Sequence, residues 1–269
     1  MGSGIAETAA FHGFEVILRS RSLANAESMK TTMEKSLSKQ VEKEKITEEQ
    51  KQNTLSRVRI TDNLNDLSDC DLIIESIVEE LDAKIQLMVE LDSIAKKEAI
   101  LATNTSTLPV VEMAIETNRA ENVCGIHFFN PATVMKLVEV VKPITASDET
   151  IETALEFARK CEKEPVLVKD QAGFIVNALL FPYLNNAVRL AEQGVASFED
   201  IDLAMKGGCG FPMGPFALLD LVGLDTSLAI LDALYEEFRD PNYAAVPLLR
   251  RMVAANKLGR KSKQGFYSY

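Results

Sequence analysis

Val123-Cys124-Gly125-Ile126-His127-Phe128-Phe129 and Leu137-Val138-Glu139-Val140-Val141 are two short apolar runs, separated by Asn130-Pro131 and a less apolar stretch. Runs of this length, rich in β-branched and aromatic residues and closed by turn formers, read as buried strands. Further runs lie outward on both sides, at 14–18, 71–75, 100–104 and 165–169, with polar or helical sequence between them. Strands alternating with helices make a doubly wound, mostly parallel α/β sheet. Beyond Gly173 the strand signals stop, and helical patterns occupy 173–193, 197–206, 215–238 and 246–256. The reading is an α/β domain over 1–170 followed by an all-helical domain over 171–269.

The 269 residues are 46% hydrophobic and 26% charged, proportions that exclude disordered and fibrous classes. A net charge of −11 lacks the basic field of a nucleic-acid-binding protein. The longest apolar-looking stretch, 216–235, is broken by Asp220, Asp225 and Asp232, so no membrane span is expected. No basic-then-apolar leader opens the chain. Cys70, Cys124, Cys161 and Cys209 form no CxxC pair, and only His12 and His127 accompany them. That argues against a metal site or a disulfide framework and points to a reducing cytoplasm.

Residues 24–57 form an unusually long polar, lysine-rich helical hairpin between two strands. A second helix starts at Thr47, whose side chain, with Gln50 three residues on, predicts a capping box. Two readings stand side by side: a solvated helix pair, or an arm for a long anionic ligand with Lys39, Lys43 and Lys45 supplying charge.

The opening Met1-Gly2-Ser3-Gly4-Ile5-Ala6 leads into an alanine-rich helix and then the strand at 14–18. That is the back half of a Rossmann-like dinucleotide unit; a full fingerprint places a strand and a Gly-x-Gly turn ahead of the helix. The sequence begins where the third glycine, Gly2, stands. At the end of the next strand, where an acidic residue usually accepts from the adenine ribose, the chain has Ser20 between Arg19 and Arg21. Loss of the carboxylate and gain of guanidinium groups favours a 2′-phosphate, hence NADP(H) over NAD(H). The plainer reading makes both arginines ordinary surface charges.

His12, at a helix end before a glycine, suits the helix dipole. His127 sits in an apolar strand, where a satisfied core histidine is the commoner case, but three residues shift that balance. Glu139, twelve residues on, lies among valines and is costly to bury unless paired. Paired with imidazole, it orients a general base. Ser106 follows the strand at 100–104, at the carboxyl end where α/β sheets bind ligands. Asn177 lies inside the apolar run 174–180 and needs a partner.

Asn104-Thr105-Ser106-Thr107, His127-Phe128-Phe129-Asn130-Pro131-Ala132, Met135-Lys136-Leu137-Val138-Glu139-Val140 and Gly173-Phe174-Ile175-Val176-Asn177 together resemble the signatures of L-3-hydroxyacyl-CoA dehydrogenases. Pro212-Met213-Gly214-Pro215, Asp220-Leu221-Val222-Gly223-Leu224-Asp225, and Leu258-Gly259-Arg260-Lys261-Ser262 through Gly265-Phe266-Tyr267 extend the match. It covers essentially the whole chain and is nearest to the stand-alone bacterial type acting on 3-hydroxybutyryl-CoA. The resemblance implies His127 as the base for the C3 hydroxyl and Glu139 as its orienting partner. It implies that Ser106 and Asn177 hold substrate oxygens, that Ser106 and Asn130 support the nicotinamide end, and that Glu79 and Lys84 contact cofactor. Spacing alone reads Glu79 and Lys84 as surface helix charges. It further implies coenzyme A under the lysine-rich hairpin, with Lys39 and Lys43 in contact, and a homodimer through the helical domain.

The sequence departs from the family in lacking the opening strand and full glycine turn, as if begun at an internal methionine of a longer gene or left as a damaged copy. Competing expectations are a dehydrogenase of similar build acting on a free hydroxy acid, and a non-catalytic, crystallin-like binding or structural relative.

Overall fold

The chain enters a helix at once. In the computed structural model, which describes residues 1–269, α1 (Gly2–Phe11) buries Ile5, Ala6, Ala9 and Ala10, small side chains that allow close packing. His12 ends it, its Nδ1 2.8 Å from the Thr8 carbonyl. After β1 (Val16–Arg19) come the two helices of the hairpin, α2 (Leu23–Glu42) and α3 (Glu48–Ser56). Ser22 caps the first. Thr47 and Gln50 form the capping box expected at the second. Only Ala26, Met33 and Leu37 of α2 are buried, so the arm rests on one narrow stripe.

β2 (Val58–Thr61) follows and is missing from the sequence reading, because four residues alternating with Arg59 give too short a run behind a polar helix. Then come β3 (Leu72–Glu75), α4 (Leu81–Ile94), β4 (Ile100–Thr103), α5 (Val110–Ile115), β5 (Val123–Phe128), β6 (Leu137–Lys142), α6 (Asp148–Lys160) and β7 (Glu164–Lys169).

β3-β4-β5-β6-β7 form one five-stranded sheet, and β1-β2 form a separate parallel pair. All pairings are parallel except β5 with β6. That antiparallel pair sets His127 opposite Glu139 and Gly125 opposite Val141. Gly125 is required by close approach: a Cβ there would lie 2.7 Å from the Val141 Cβ.

The chain divides into Met1–Asp170 and Gln171–Tyr269. The second unit is all helical: α7 (Val176–Glu192), α8 (Phe198–Cys209), α9 (Pro215–Val222), α10 (Leu224–Phe238) and α11 (Pro247–Ala254). The single helix expected over 215–238 is two, since Gly223 adopts φ 102°, outside helical geometry. Leu184, Phe216, Leu219, Leu224, Leu234 and Leu249 fill the core. Asp202, buried, accepts from Phe216 N at 2.8 Å and Ala217 N at 3.1 Å, capping α9 where orphan N–H groups and the helix dipole favour a carboxylate. No helix is long and apolar enough to cross a membrane.

Candidate active site

The β5–β6 register brings two buried polar side chains of the sheet together. His127 is 4% exposed and Glu139 fully buried, and His127 Nδ1 lies 2.8 Å from Glu139 Oε2. An ionised carboxylate only accepts, so Nδ1 carries the proton and Nε2 presents its lone pair. Nε2 lies 3.1 Å from Ser106 Oγ. Phe129 packs on the ring, with centroids 4.6 Å apart. A buried, oriented imidazole with its basic nitrogen at a hydroxyl is suited to take up and return a proton.

The loop after β4 that carries Ser106 is held from beneath. Asn104 Oδ1 accepts from Phe128 N at 2.8 Å, tying the loop to the histidine strand. Glu79 Oε1 accepts from Ser106 N at 2.7 Å, from Thr107 N at 3.3 Å and from the Thr105 hydroxyl. Its other oxygen lies 3.3 Å from Lys84 Nζ. Lys84 is 1% exposed, and its ammonium reaches both oxygens of buried Glu75, at 2.8 and 3.0 Å. Thr103 donates to the same carboxylate. The surface reading of Lys84 is therefore corrected. On α4 it turns inward because Glu75, at the end of an apolar strand, needs a cation. Glu75 was itself missed, although a carboxylate closing Leu72-Ile73-Ile74 is the same signal that drew attention to Glu139.

A second set of residues surrounds the start of α1. Met1 makes no side-chain cap, and Gly2 approaches β3 so closely that a Cβ would lie 2.8 Å from Ser76 Oγ. Met1, Gly2, Ser3, Arg19, Ser20, Arg21 and Ser76 border one opening. An uncapped helix N-terminus, close backbone approach and nearby guanidinium groups fit a dinucleotide's phosphates. Asn130, exposed, borders a smaller recess with Ser3 and Gly4.

Lys39, Lys43 and Lys45 stand exposed on and just after α2, with no carboxylate within ion-pair distance. The same helix is tied to α1 by Glu7. That buried carboxylate accepts from Ser36 Oγ at 3.0 Å and Gln40 Nε2 at 2.9 Å, and desolvation raises its pKa against those hydrogen bonds. Nothing in the sequence of α1 singles Glu7 out. Asn177, also buried, lies in the first turn of α7, in the second unit. Ser106, His127, Glu139, Glu79 and Lys84 thus form one connected group, with Gly2, Ser20 and Arg21 at a separate opening and the lysines on the arm.

Residues 1–171 match the family model described as 3-hydroxyacyl-CoA dehydrogenase, NAD binding domain, and residues 173–269 match that family's C-terminal domain. The chain belongs to the 3-hydroxyacyl-CoA dehydrogenase family. It is therefore an oxidoreductase with an NAD-binding first domain. It is 48% identical over 269 residues to the 3-hydroxybutyryl-CoA dehydrogenase of Clostridioides difficile, covering all of this chain and 96% of that one. It is 45% identical to the human mitochondrial hydroxyacyl-coenzyme A dehydrogenase, covering 100% and 88%. Among solved structures, FadB2 of Mycobacterium tuberculosis superposes with a TM-score of 0.98 at 43% identity, covering 100% of this chain and 95% of that chain. The (S)-3-hydroxybutyryl-CoA dehydrogenase PaaH1 of Ralstonia eutropha gives 0.97 at 40%, with the same coverage.

Proposed function

We propose that this dehydrogenase interconverts (S)-3-hydroxyacyl-CoA, 3-hydroxybutyryl-CoA foremost, and the 3-ketoacyl-CoA. The observation that carries the reading is the line Ser106 Oγ, His127 Nε2, His127 Nδ1, Glu139 Oε2, with both contacts at hydrogen-bond distance and the inner one buried within the β5–β6 pair. His127 Nε2 takes the proton of the C3 hydroxyl, and Glu139 stabilises the imidazolium that forms. Bound nicotinamide supplies the hydride acceptor for the C3 hydrogen. Ser106 holds the reacting oxygen beside Nε2, and Asn177 is assigned to a substrate oxygen. Glu79 and Lys84 act by fixing the Ser106 loop at the cofactor side, and Asn130 supports the nicotinamide end. In the reverse direction the imidazolium returns the proton as the ketone is reduced.

The unpaired lysines of the hairpin support coenzyme A as the handle. In a chain of net charge −11, three free cations on one arm are a local attraction for the 3′-phosphate and diphosphate. NAD(H) binding follows from the family; a preference for NADP(H) is our reading of Ser20, Arg19 and Arg21. A homodimer through the second unit is supported by apolar side chains left on its surface, Leu179, Val195 and Leu203. Four free cysteines suit a reducing cytoplasm. The catalytic reading is favoured over a structural one because a merely structural protein has no use for a buried imidazole aimed at a hydroxyl.

The test is acetoacetyl-CoA-dependent oxidation of NADPH and NADH, with His127→Ala alongside. We expect turnover with the CoA thioester and not with free acetoacetate, and a loss of about 10²-fold or more in the variant. A His127→Ala enzyme of unchanged rate would remove the base. A tenfold advantage for NADH would overturn only the cofactor preference.

A further inference from the structure

Residues 129–136 join β5 to β6 and carry Asn130. Asn130 is exposed, and its side chain makes no hydrogen bond within the chain. Where its amide points is therefore inherited from the backbone of this loop. Inside the loop, Val134 N and Met135 N both donate to Pro131 O at 3.0 Å. Those bonds close the turn on itself without fixing it to the fold. On one side the loop rests on α1: Ala132 is 3% exposed, and a Cβ on Gly4 would lie 3.4 Å from the Ala132 Cβ. Thr8 Oγ1 donates to Gly4 O at 2.9 Å and reaches Ala132 O at 3.4 Å, the long end of hydrogen bonding. Packing of this kind supports the loop but gives it little direction.

The firm tie is Lys163. Its Nζ donates to Ala132 O at 2.6 Å and to Met135 O at 3.0 Å, so one ammonium spans the loop. The sequence fixes its base. α6 ends at Lys160, and Glu162, at φ 52°, turns the chain. Lys163 N then bonds back to Ala158 O at 3.0 Å, and Glu164 N donates to Lys136 O at 2.8 Å where the β6–β7 ladder opens. The backbone of Lys163 is thus locked between a helix end and the first rung beside the loop. Lys163 is half-buried with no carboxylate within ion-pair distance, and desolvation draws its pKa below the ordinary 10.5. A cation held partly from water with carbonyls as its partners costs free energy that a surface lysine does not. Donors carrying charge also make the stronger hydrogen bonds.

We propose that Lys163 is a positioning residue for the nicotinamide end of the cofactor. It holds the Ala132 and Met135 carbonyls and through that backbone aims the Asn130 side chain. This rests on the placement of Asn130 in the proposed function. It involves neither His127 nor the coenzyme A handle, so its test reads binding, and the acetoacetyl-CoA assay tests that reading separately.

Lys163→Met keeps the length of the side chain and removes the donors. Isothermal titration calorimetry with NADH and with ADP-ribose, which has all of NADH except the nicotinamide, separates positioning from general loosening. The parent should bind NADH more tightly than ADP-ribose. In the variant we expect NADH to bind about tenfold more weakly, the scale of one lost hydrogen bond, and ADP-ribose to stay within about twofold. In an Asn130→Ala chain, where no amide is left to aim, Lys163→Met should add less than about twofold. Lys163→Gln, too short to span both carbonyls, should show the same split, and it carries the test should the methionine variant not fold. The proposal is overturned by unchanged NADH affinity, by equal weakening of both ligands, or by a full tenfold loss in the Asn130→Ala background. A parent that binds NADH no better than ADP-ribose would remove the placement of Asn130, and this proposal with it.

Discussion

One hydrogen bond decides which nitrogen of His127 is basic. Glutamine at position 139 keeps the size of the side chain but offers an N–H to Nδ1, which then accepts and moves the ring proton to Nε2. That nitrogen faces Ser106 and is useless as a base once protonated. Glu139→Gln should lower kcat by about 10²–10⁴-fold, since a misplaced tautomer costs that much in comparable triads. KM should stay within about threefold, because the change acts in the transition state. Steady-state oxidation of (S)-3-hydroxybutyryl-CoA, the direction that needs the base, checks it; a parallel rise in KM with constant kcat would make Glu139 a binding residue instead.

Lys84 poses the opposite question, a charge whose value is structural first. Lys84→Met strands the Glu75 carboxylate in the interior and should cost about 3–5 kcal/mol, read by urea denaturation. Glu75→Leu together with Lys84→Met should recover most of that stability, yet leave kcat depressed, because Glu79 still lacks its cation and the Ser106 loop its anchor. Full recovery of activity in the double variant would confine Lys84 to stability. The residue scale was also where sequence was most unequal. Glu139 could be singled out because a carboxylate stood among valines. Lys84 could not, because its burial depends on Glu75 lying across from it, a contact that no local pattern encodes.

At the scale of elements, the β5–β6 pair aligns His127 and Glu139 only while its strands stay close. Gly125→Ala drives a methyl into Val141 and should cost about 1–3 kcal/mol by overpacking, with a fall in kcat as the register relaxes. Val141→Ala in the same chain should return part of both losses, checked by denaturation and kinetics on the double variant.

The contact of the hairpin with α1 carries its own pH signature. Desolvation raises the Glu7 pKa above its ordinary 4.5, and the bonds from Ser36 and Gln40 only partly offset it. Between 4.5 and the raised value the folded chain holds more proton than the unfolded one. Glu7 therefore makes stability fall as pH rises through that window, with no further change above it. Glu7→Gln keeps an acceptor for Ser36 and removes the titration. The stability of the variant relative to the parent should then grow from about pH 4 to about pH 7, measured as urea midpoints across that range. Elements themselves were readable where local chemistry sets them, as in the Thr47–Gln50 box. They were hidden where it does not: β2 is too short and polar to signal, and the break at Gly223 needs a backbone angle that an apolar, helix-compatible sequence does not reveal.

For the whole molecule, the division into an α/β unit and a helical unit follows from where strand-forming runs stop, so it could be read without coordinates. Assembly could not, because exposure is a property of the folded surface. Leu179, Val195 and Leu203 are 71%, 65% and 64% exposed on the second unit, although Leu184, Leu219 and Leu234 show that it has a filled core of its own. Leucines left outside a complete core are surplus to the fold of a single chain and gain by burial against another. If that other is a second copy, the closed two-fold arrangement uses each patch twice, so one substitution removes two contacts. Leu179→Asp and Leu203→Asp together should weaken association by about 10²-fold or more, each buried leucine being worth roughly 1.5–3 kcal/mol. Sedimentation equilibrium should give twice the chain mass for the parent and the single mass for the variant, with far-ultraviolet circular dichroism unchanged because neither side chain belongs to the core. A parent that sediments at the single mass at every concentration would leave those leucines to another partner.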